Sequence, residues 1–315
     1  MPCLANHNTS SFFGTPHMPT FSSLREQRIG SQRQWLANRQ ASERISAALR
    51  TGMIPWKNPI RNDDNAGLPL NFANGKPFTP ISTLLLQVAS HQHDSVGRWW
   101  GTQQDWDRLG GNIDLSREPT IVFDGEWHSV EVYCVDQVTG ADVDQLHVHD
   151  HTIVVSDCAD FSKIETLVEL SGADIRVGVG DANHGAGDWY VPPNPWIAYP
   201  HHSRGDYILL QRPEFRSIMA SHYYTLLHEF IHWAEVRTKW ISDLYEREFV
   251  AEIGSGWLAS ELGCPPCRCR SNENKWLERW LWEIDRDSGF VFHAAEQARM
   301  AFQFIMSIIE GEQRC

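Results

Sequence analysis

The stretch that decides the fold of the C-terminal half is Leu227-His228-Glu229-Phe230-Ile231-His232, which lies in a run from Met219 to Arg237 without proline or glycine. Positions four apart share one face of a helix, so His228 and His232 can hold one metal ion. Two neutral imidazoles plus a carboxylate suit Zn2+, with water in the open position. Glu229 lies beside the pair and is the candidate catalytic base, because it can take a proton from a water molecule at the ion.

A third ligand has to come from another element, because one helix face offers only two residues at this spacing. The next segment, Tyr245 to Glu252, is helical in pattern and follows a short turn near Asp243. Its Glu-x-x-Ala-Glu pattern resembles the second helix of the glutamate-type zinc metallopeptidases, the gluzincins. That resemblance implies that Glu248 is the third metal ligand and that Glu252 supports a ligand histidine in the second shell. The two assignments could be exchanged, and a solvated acidic helix face is the simpler alternative.

Three further groups of polar residues have plainer interpretations than a second site. The cysteine cluster has no fourth ligand nearby in sequence, so we expect a loop with reduced thiols. The alternating histidines are expected to face solvent on a linker strand, and the tyrosine pair before the motif is expected to pack in the core. These residues are Cys264, Cys267 and Cys269; His147, His149 and His151; and Tyr223 and Tyr224.

The composition of the chain limits the classes of protein that it can belong to. A length of 315 residues suggests about two domains. The lack of a run of about 18 apolar residues rules out a membrane span, and the opening segment lacks the pattern of a secretory signal. Seven cysteines are too few for a disulfide scaffold, and a cytoplasmic location fits them best. The net charge of -13 argues against a wholly basic nucleic-acid-binding surface, though not against a local patch.

The pattern along the chain predicts an α+β fold with a polar tail and two domains. Residues 1–22 lack periodicity and are expected to be a disordered tail. Residues 23–150 mix helices with short strands and are expected to form a small N-terminal domain. Residues 151–315 are expected to form a mostly helical second domain. In the last part of this domain the sequence pattern predicts four helices, at about 217–238, 243–262, 273–286 and 290–310.

The order of short motifs resembles one known family, the ArdC-like antirestriction proteins of plasmids and phages. The resemblance covers nearly all of residues 40–310. It rests on the metal-type motif and on these segments: Ile54-Pro55-Trp56, Leu68-Pro69-Leu70-Asn71, Asn74 to Phe78, Leu84-Leu85-Leu86, Trp100 to Gln104, Leu109-Gly110-Gly111 and Asp206-Tyr207-Ile208.

That family joins an N-terminal domain that binds single-stranded DNA to a C-terminal zincin-like metallopeptidase domain. The resemblance therefore implies single-stranded DNA as a partner, Zn2+ as the cofactor, a protein substrate, and a role in protecting incoming DNA from host restriction. After Gly110-Gly111 the family carries a basic turn, whereas this chain has Asn112 to Pro119. Fewer basic residues predict weaker binding to phosphates, which base stacking on aromatic rings can partly offset.

The candidate DNA contacts are aromatic residues with basic residues among them. Base–aromatic stacking contributes about 1–3 kcal/mol per base, and lysine or arginine neutralises phosphate. The simpler alternative is that most of the aromatic residues belong to the core. The candidates are Trp56, Lys57, Lys76, Phe78, Arg98 and Trp100.

Two other functions are compatible with the same residues. One is a DNA-binding protein whose metal site only stabilises the fold, with no hydrolysis. The other is a DNA-independent metalloprotease whose N-terminal domain recognises a protein.

Overall fold

A computed structural model describes residues 21–57, 66–95, 97–140, 159–178, 187–193, 205–215, 218–240, 242–265 and 270–312. Most of the predicted tail lies outside these ranges, as do the alternating histidines, two of the three clustered cysteines and the predicted boundary near residue 150. The fold is α+β, as the sequence predicts, with a curled sheet in the N-terminal half and mostly helices in the C-terminal half.

The described residues form eight helices and ten short strands. The helices are α1 (Phe21–Arg50), α2 (Pro80–His93), α3 (Gln103–Asp107), α4 (Ser162–Ser171), α5 (Met219–Thr238), α6 (Leu244–Leu262), α7 (Arg270–Arg286) and α8 (Phe290–Glu312). The strands are β1 (Leu70–Asn71), β2 (Lys76–Pro77), β3 (Trp99–Gly101), β4 (Asn112–Ile113), β5 (Thr120–Phe123), β6 (Ser129–Cys134), β7 (Val138–Thr139), β8 (Ile175–Val177), β9 (Trp189–Val191) and β10 (Tyr207–Leu210).

Local signals in the sequence explain where the important helices begin and end. Helix α2 starts after Thr79, whose hydroxyl accepts a hydrogen bond from the Ser82 backbone N–H. Helix α6 starts after Asp243, whose carboxylate accepts from two backbone N–H groups of the first turn. It ends at Gly263, with φ at +76°, a left-handed conformation that glycine adopts without strain. These caps satisfy backbone groups that a helix end leaves unpaired.

One sheet in the N-terminal half carries aromatic residues, and one sheet in the C-terminal half has β9 at its edge. The first has the strand order β2-β1-β3-β6-β5, and the second has the order β8-β10-β9. Successive residues of a strand point to opposite faces. In β3 this alternation puts Trp100 inside, with 1% of its surface exposed, and leaves the neighbouring Trp99 half-buried.

Buried apolar residues form one large core and one small one. The small core lies under the N-terminal sheet and includes Trp100 and Trp106. The large core combines α1, α2 and the loop around Trp56 with the C-terminal helices. Helix α1 packs against α7 and α8, and α2 packs against α8. The two halves of the sequence therefore share their main core. Among the described residues, no helix is long and apolar enough to cross a membrane.

Candidate metal centre

Helices α5 and α6 bring the three predicted ligands together. One donor atom each from His228, His232 and Glu248 lies within 4.8 Å of the others. Glu248 Oε2 is 3.6 Å from His228 Nε2, and Glu248 Oε1 is 3.7 Å from His232 Nε2. The same nitrogen of both rings thus faces one carboxylate. Two nitrogens and one oxygen form a donor set that suits a zinc-type divalent cation.

Close helix packing fixes the spacing of these ligands. A Cβ atom at Gly254 of α6 would lie 2.7 Å from Ile231 Cδ1 of α5, so a larger residue there would force the Ile231 side chain to move. Phe230 and Ile231, between the two histidines, are fully buried. Phe230 and Ile231 therefore pack in the core, while His228 and His232 face Glu248.

The predicted second-shell residue lies beside the first histidine and reaches a residue of the N-terminal half. Glu252 Oε1 is 3.6 Å from His228 Nδ1, and Glu252 Oε2 is 3.5 Å from Lys57 Nζ. Lys57 also lies 4.8 Å from the centre of the Tyr224 ring, and only 11% of its side chain is exposed. The Lys57 ammonium group faces Glu252 and Tyr224, so the predicted contact of Lys57 with DNA would have to compete with this ion pair.

The second histidine has a buried carboxylate partner that sequence reasoning missed. His232 Nδ1 lies 2.5 Å from Glu235 Oε1, and Arg247 Nε donates to Glu235 Oε2 at 2.7 Å. Glu235 follows His232 by three positions on α5, so it lies on the same helix face. That spacing is the signal that could have identified it.

Burial and charge set the protonation of the cluster. Burial raises the pKa of Glu229, which the charges of His228 and His232 partly oppose. Burial alone would lower the pKa of His228, but the hydrogen bond with Glu248 and the nearby carboxylates raise it to about 9. Those same histidines lower the pKa of Glu248 despite the opposing effect of its burial.

Charge counting shows what the cluster lacks. Four carboxylates surround the two imidazoles, while Lys57 and Arg247 are the cations paired with them among the described residues. Without an ion, a proton on His228 leaves the group with a charge of about -1. With both histidines neutral, as metal binding requires, and every carboxylate ionised, the charge is about -2, which is costly in a buried site unless a cation is bound. A divalent ion would neutralise it.

Most of the candidate DNA contacts are inside the protein. Trp56 and Trp100 are each 1% exposed, and the Arg98 guanidinium pairs with Glu261 at 3.2 Å. Contact of these three residues with DNA stays a prediction, and it would require them to leave their buried or paired positions. Lys76 is exposed in β2, and Phe78 is half-buried just after it.

Tyr223 and Cys264, two of the weaker candidates, have partners other than the three ligands. The Tyr223 hydroxyl donates to Glu165 at 2.7 Å, and its ring stacks on Phe161. Tyr224 is buried, as is the free thiol of Cys264. The packing role predicted for the tyrosines agrees with these contacts.

Comparisons with known proteins agree with this architecture. Residues 36–161 match the family model of the N-terminal domain of anti-restriction factor ArdC. Residues 162–297 match the family model of a zincin-like metallopeptidase. The fold and these matches define a class of protein in which a zincin-like domain follows a mixed N-terminal domain. This chain is an ArdC-like protein.

Relatives match most of this chain at low sequence identity. The uncharacterized protein y4eC of Sinorhizobium fredii is 22% identical over 308 residues, which cover 87% of this chain and 93% of that protein. The metal-free crystal structure of the antirestriction ArdC protein from R388 plasmid has a TM-score of 0.66 and covers 87% of this chain and 98% of its own. Its Mn(II)-bound structure has a TM-score of 0.64, with 86% and 97% covered. Both are 22% identical to this chain.

Proposed function

We propose that this protein binds a divalent cation, Zn2+ by its donor set, through His228, His232 and Glu248, and uses Glu229 as the general base of a peptidase-type reaction. The observation that carries the proposal is the convergence of the three donor atoms within 4.8 Å beside a buried carboxylate. The excess negative charge of the cluster supports the same conclusion. The Mn(II)-bound structure of the related plasmid protein supports a divalent ion without choosing zinc.

Each residue has a distinct part in this chemistry. When bound, the cation acts as a Lewis acid that polarises a carbonyl group and makes a water molecule more acidic. Burial raises the pKa of Glu229, which makes its carboxylate a stronger base than an exposed one. A hydrogen bond from the Tyr190 backbone in the edge strand β9 favours its ionised form. Glu252 orients His228 through the ring nitrogen that faces away from the ligand cluster.

Metal analysis and Glu229→Gln test this assignment together. We expect about one divalent ion per chain in the wild-type protein and in Glu229→Gln, and a strong loss of metal in His228→Ala and Glu248→Ala. Hydrolysis of a generic protein substrate such as casein should disappear in Glu229→Gln, because the ligands remain but the base is gone. A fully metal-loaded wild-type protein that cleaves no substrate under any condition would remove the catalytic part.

Burial of the cluster favours a second candidate, in which the ion only stabilises the fold. Glu229 and His232 are 6% and 7% exposed, as expected of a closed structural site. In that case metal should raise the melting temperature of the wild-type protein and of Glu229→Gln equally, with no hydrolysis in either.

We also propose that the N-terminal half binds single-stranded DNA in an antirestriction role, at the β1–β2 hairpin and the exposed side of β3. Trp99 and Phe72 lie edge to face with ring centres 6.2 Å apart, and both are half-buried rather than enclosed. Lys76 is exposed on the same hairpin, and Phe78 lies just after it. Rings beside a basic residue suit stacked bases and phosphate.

A fluorescent oligonucleotide and the full-length protein test the DNA proposal. Trp99→Ala should weaken binding by about 1–3 kcal/mol. Lys76→Met should lower the salt dependence by about one phosphate contact. Lys163→Met, which removes an exposed lysine from α4, is the control and should change nothing. Anisotropy that stays flat at low salt for the wild-type protein would exclude this interface.

A further inference from the structure

Glu235 is a buried carboxylate whose contacts the proposed reaction does not use. It lies on α5, one turn after His232, with 7% of its side chain exposed. A buried carboxylate is costly unless its oxygens are paired. Both of them are paired here, one with the His232 ring and the other with the Arg247 side chain.

The contact with His232 determines which ring nitrogen faces the ligand cluster. Glu235 Oε1 lies 2.5 Å from Nδ1. An ionised carboxylate can only accept a hydrogen bond, so this contact favours the tautomer with the hydrogen on Nδ1. In that tautomer Nε2 carries no hydrogen, and Nε2 is the atom 3.7 Å from Glu248 Oε1. An imidazole must present an unprotonated nitrogen to a metal ion, and a hydrogen bond to its other nitrogen fixes that tautomer and the orientation of the ring.

The contact with Arg247 ties the two ligand-bearing helices together. Arg247 directly precedes Glu248 on α6, and its Nε donates to Glu235 Oε2 on α5 at 2.7 Å. The pair therefore bridges α5 and α6 beside the third ligand. Because the bridge uses only protein groups, it holds the ligand spacing before an ion arrives.

We propose that Glu235, supported by Arg247, is a positioning residue that prepares His232 to bind a divalent cation. This inference rests on the proposed metal centre and deepens it. The outer support of His228 comes from Glu252 and that of His232 from Glu235, so each ligand imidazole has its own carboxylate. Glu235 lies on α5 and Glu252 lies on α6, so the same two helices supply the ligands and the carboxylates that orient them.

Metal affinity of the full-length protein tests the proposal, measured with Zn2+ in competition with a chromophoric chelator. Glu235→Ala should weaken binding about 10–100-fold, as expected when the partner of a ligand histidine is lost. Glu235→Gln should be intermediate, because its amide oxygen still accepts the Nδ1 hydrogen while the charge is gone. This conservative variant also keeps the test open if Glu235→Ala folds poorly.

The visible spectrum of bound Co2+ provides a readout that a merely structural residue would not change. Arg247→Met should alter the spectrum of the wild-type protein and leave that of Glu235→Ala unchanged, because the arginine acts through the carboxylate. Glu283→Gln is the matched control. Glu283 is a 3% exposed carboxylate held by Arg279 and Arg286 on α7, so its loss should lower stability without changing metal affinity or the spectrum.

The possible outcomes distinguish the role of Glu235 from the proposed metal centre on which it rests. A wild-type protein that binds neither Zn2+ nor Co2+ would overturn the metal centre and the role of Glu235 together. A wild-type protein that binds both ions, with Glu235→Ala and Glu235→Gln equal to it in affinity and spectrum, would overturn the role of Glu235 alone.

Discussion

Two lysines of the N-terminal half, Lys57 and Lys76, look alike in the sequence but lie in different environments. Each stands next to or near an aromatic residue, and this pattern predicts contact with DNA. The structure places Lys57 against Glu252 and Tyr224 and leaves Lys76 exposed on a hairpin. The sequence around a lysine does not show which distant carboxylate it will meet, so only the fold distinguishes the two.

Lys57→Met should therefore affect the metal centre and spare DNA binding. Removing the cation leaves Glu252 buried without its ionic partner, which should lower the free energy of unfolding of the metal-free protein by about 3 kcal/mol. A divalent cation should stabilise this variant more than the wild-type protein, because it replaces the missing positive charge. Urea unfolding with a chelator and with Zn2+ measures both effects. Lys76→Met is the control, and equal losses in both variants would contradict the assignment.

The raised pKa of His228 predicts how metal affinity depends on pH. In the metal-free protein His228 keeps its proton up to a pKa of about 9, instead of the ordinary value of 6.5. A metal ion must displace that proton, so affinity should rise with pH by up to about tenfold per unit and level off above the pKa. Isothermal titration calorimetry in buffers of different ionisation enthalpy would count the protons released. Affinity that is constant from pH 7 to 9 would be inconsistent with this reading.

Among the elements, the long helices are predictable from sequence and the shortest strands are not. The four C-terminal helices begin and end within a few residues of the predicted bounds, because apolar periodicity and caps such as Asp243 and Gly263 are local signals. The strands β1, β2 and β9 have only two or three residues each. A period of two cannot be read from so few positions, so their pairing depends on distant partners.

The same distinction applies to the candidate site. Spacing along one helix predicts His228, His232 and Glu229, and family resemblance implies Glu248 and Glu252. The partners Lys57 and Arg247 could not be predicted, because their contacts cross between elements.

Helix α6 tolerates no side chain where the loop around Trp56 crosses it. A Cβ atom at Gly256 would lie 2.5 Å from the Trp56 carbonyl oxygen. Gly256→Ala should therefore destabilise the protein by about 1–3 kcal/mol, because backbone has to move. Gly30 in α1 has nothing within 4 Å of the same position, so Gly30→Ala should stabilise it by up to about 1 kcal/mol. Chemical denaturation of the two variants provides the comparison, and a stabilised Gly256→Ala would show that the contact is looser than described.

At the scale of the whole molecule, the large core extends over both halves of the sequence. Helices α1 and α2 both carry apolar residues, but periodicity does not say which helix covers them. The structure places them on the C-terminal helices. The two regions that the family models match thus depend on each other for burial of apolar surface.

A shared core predicts one cooperative unfolding transition for the metal-free protein. The buried tryptophans report on both halves, since Trp106 lies in the small core and Trp257 and Trp280 lie in the large one. Tryptophan fluorescence and far-ultraviolet circular dichroism should give coincident curves in urea. Two separated transitions would show instead that the halves unfold independently.

Helix α6 touches the N-terminal half from its middle to its C-terminal end. Glu252 in the middle of the helix reaches Lys57, Gly256 one turn later meets Trp56, and Glu261 in the last turn accepts from Leu68 and Arg98. Leu68 and Arg98 lead directly into β1 and β3, the strands of the proposed DNA surface. If a bound metal ion shifts α6 and thereby changes the affinity for an oligonucleotide, thermodynamic linkage requires the oligonucleotide to change the affinity for the ion by the same factor. Titrating the ion with and without oligonucleotide, and the oligonucleotide with and without ion, should therefore give the same ratio of dissociation constants.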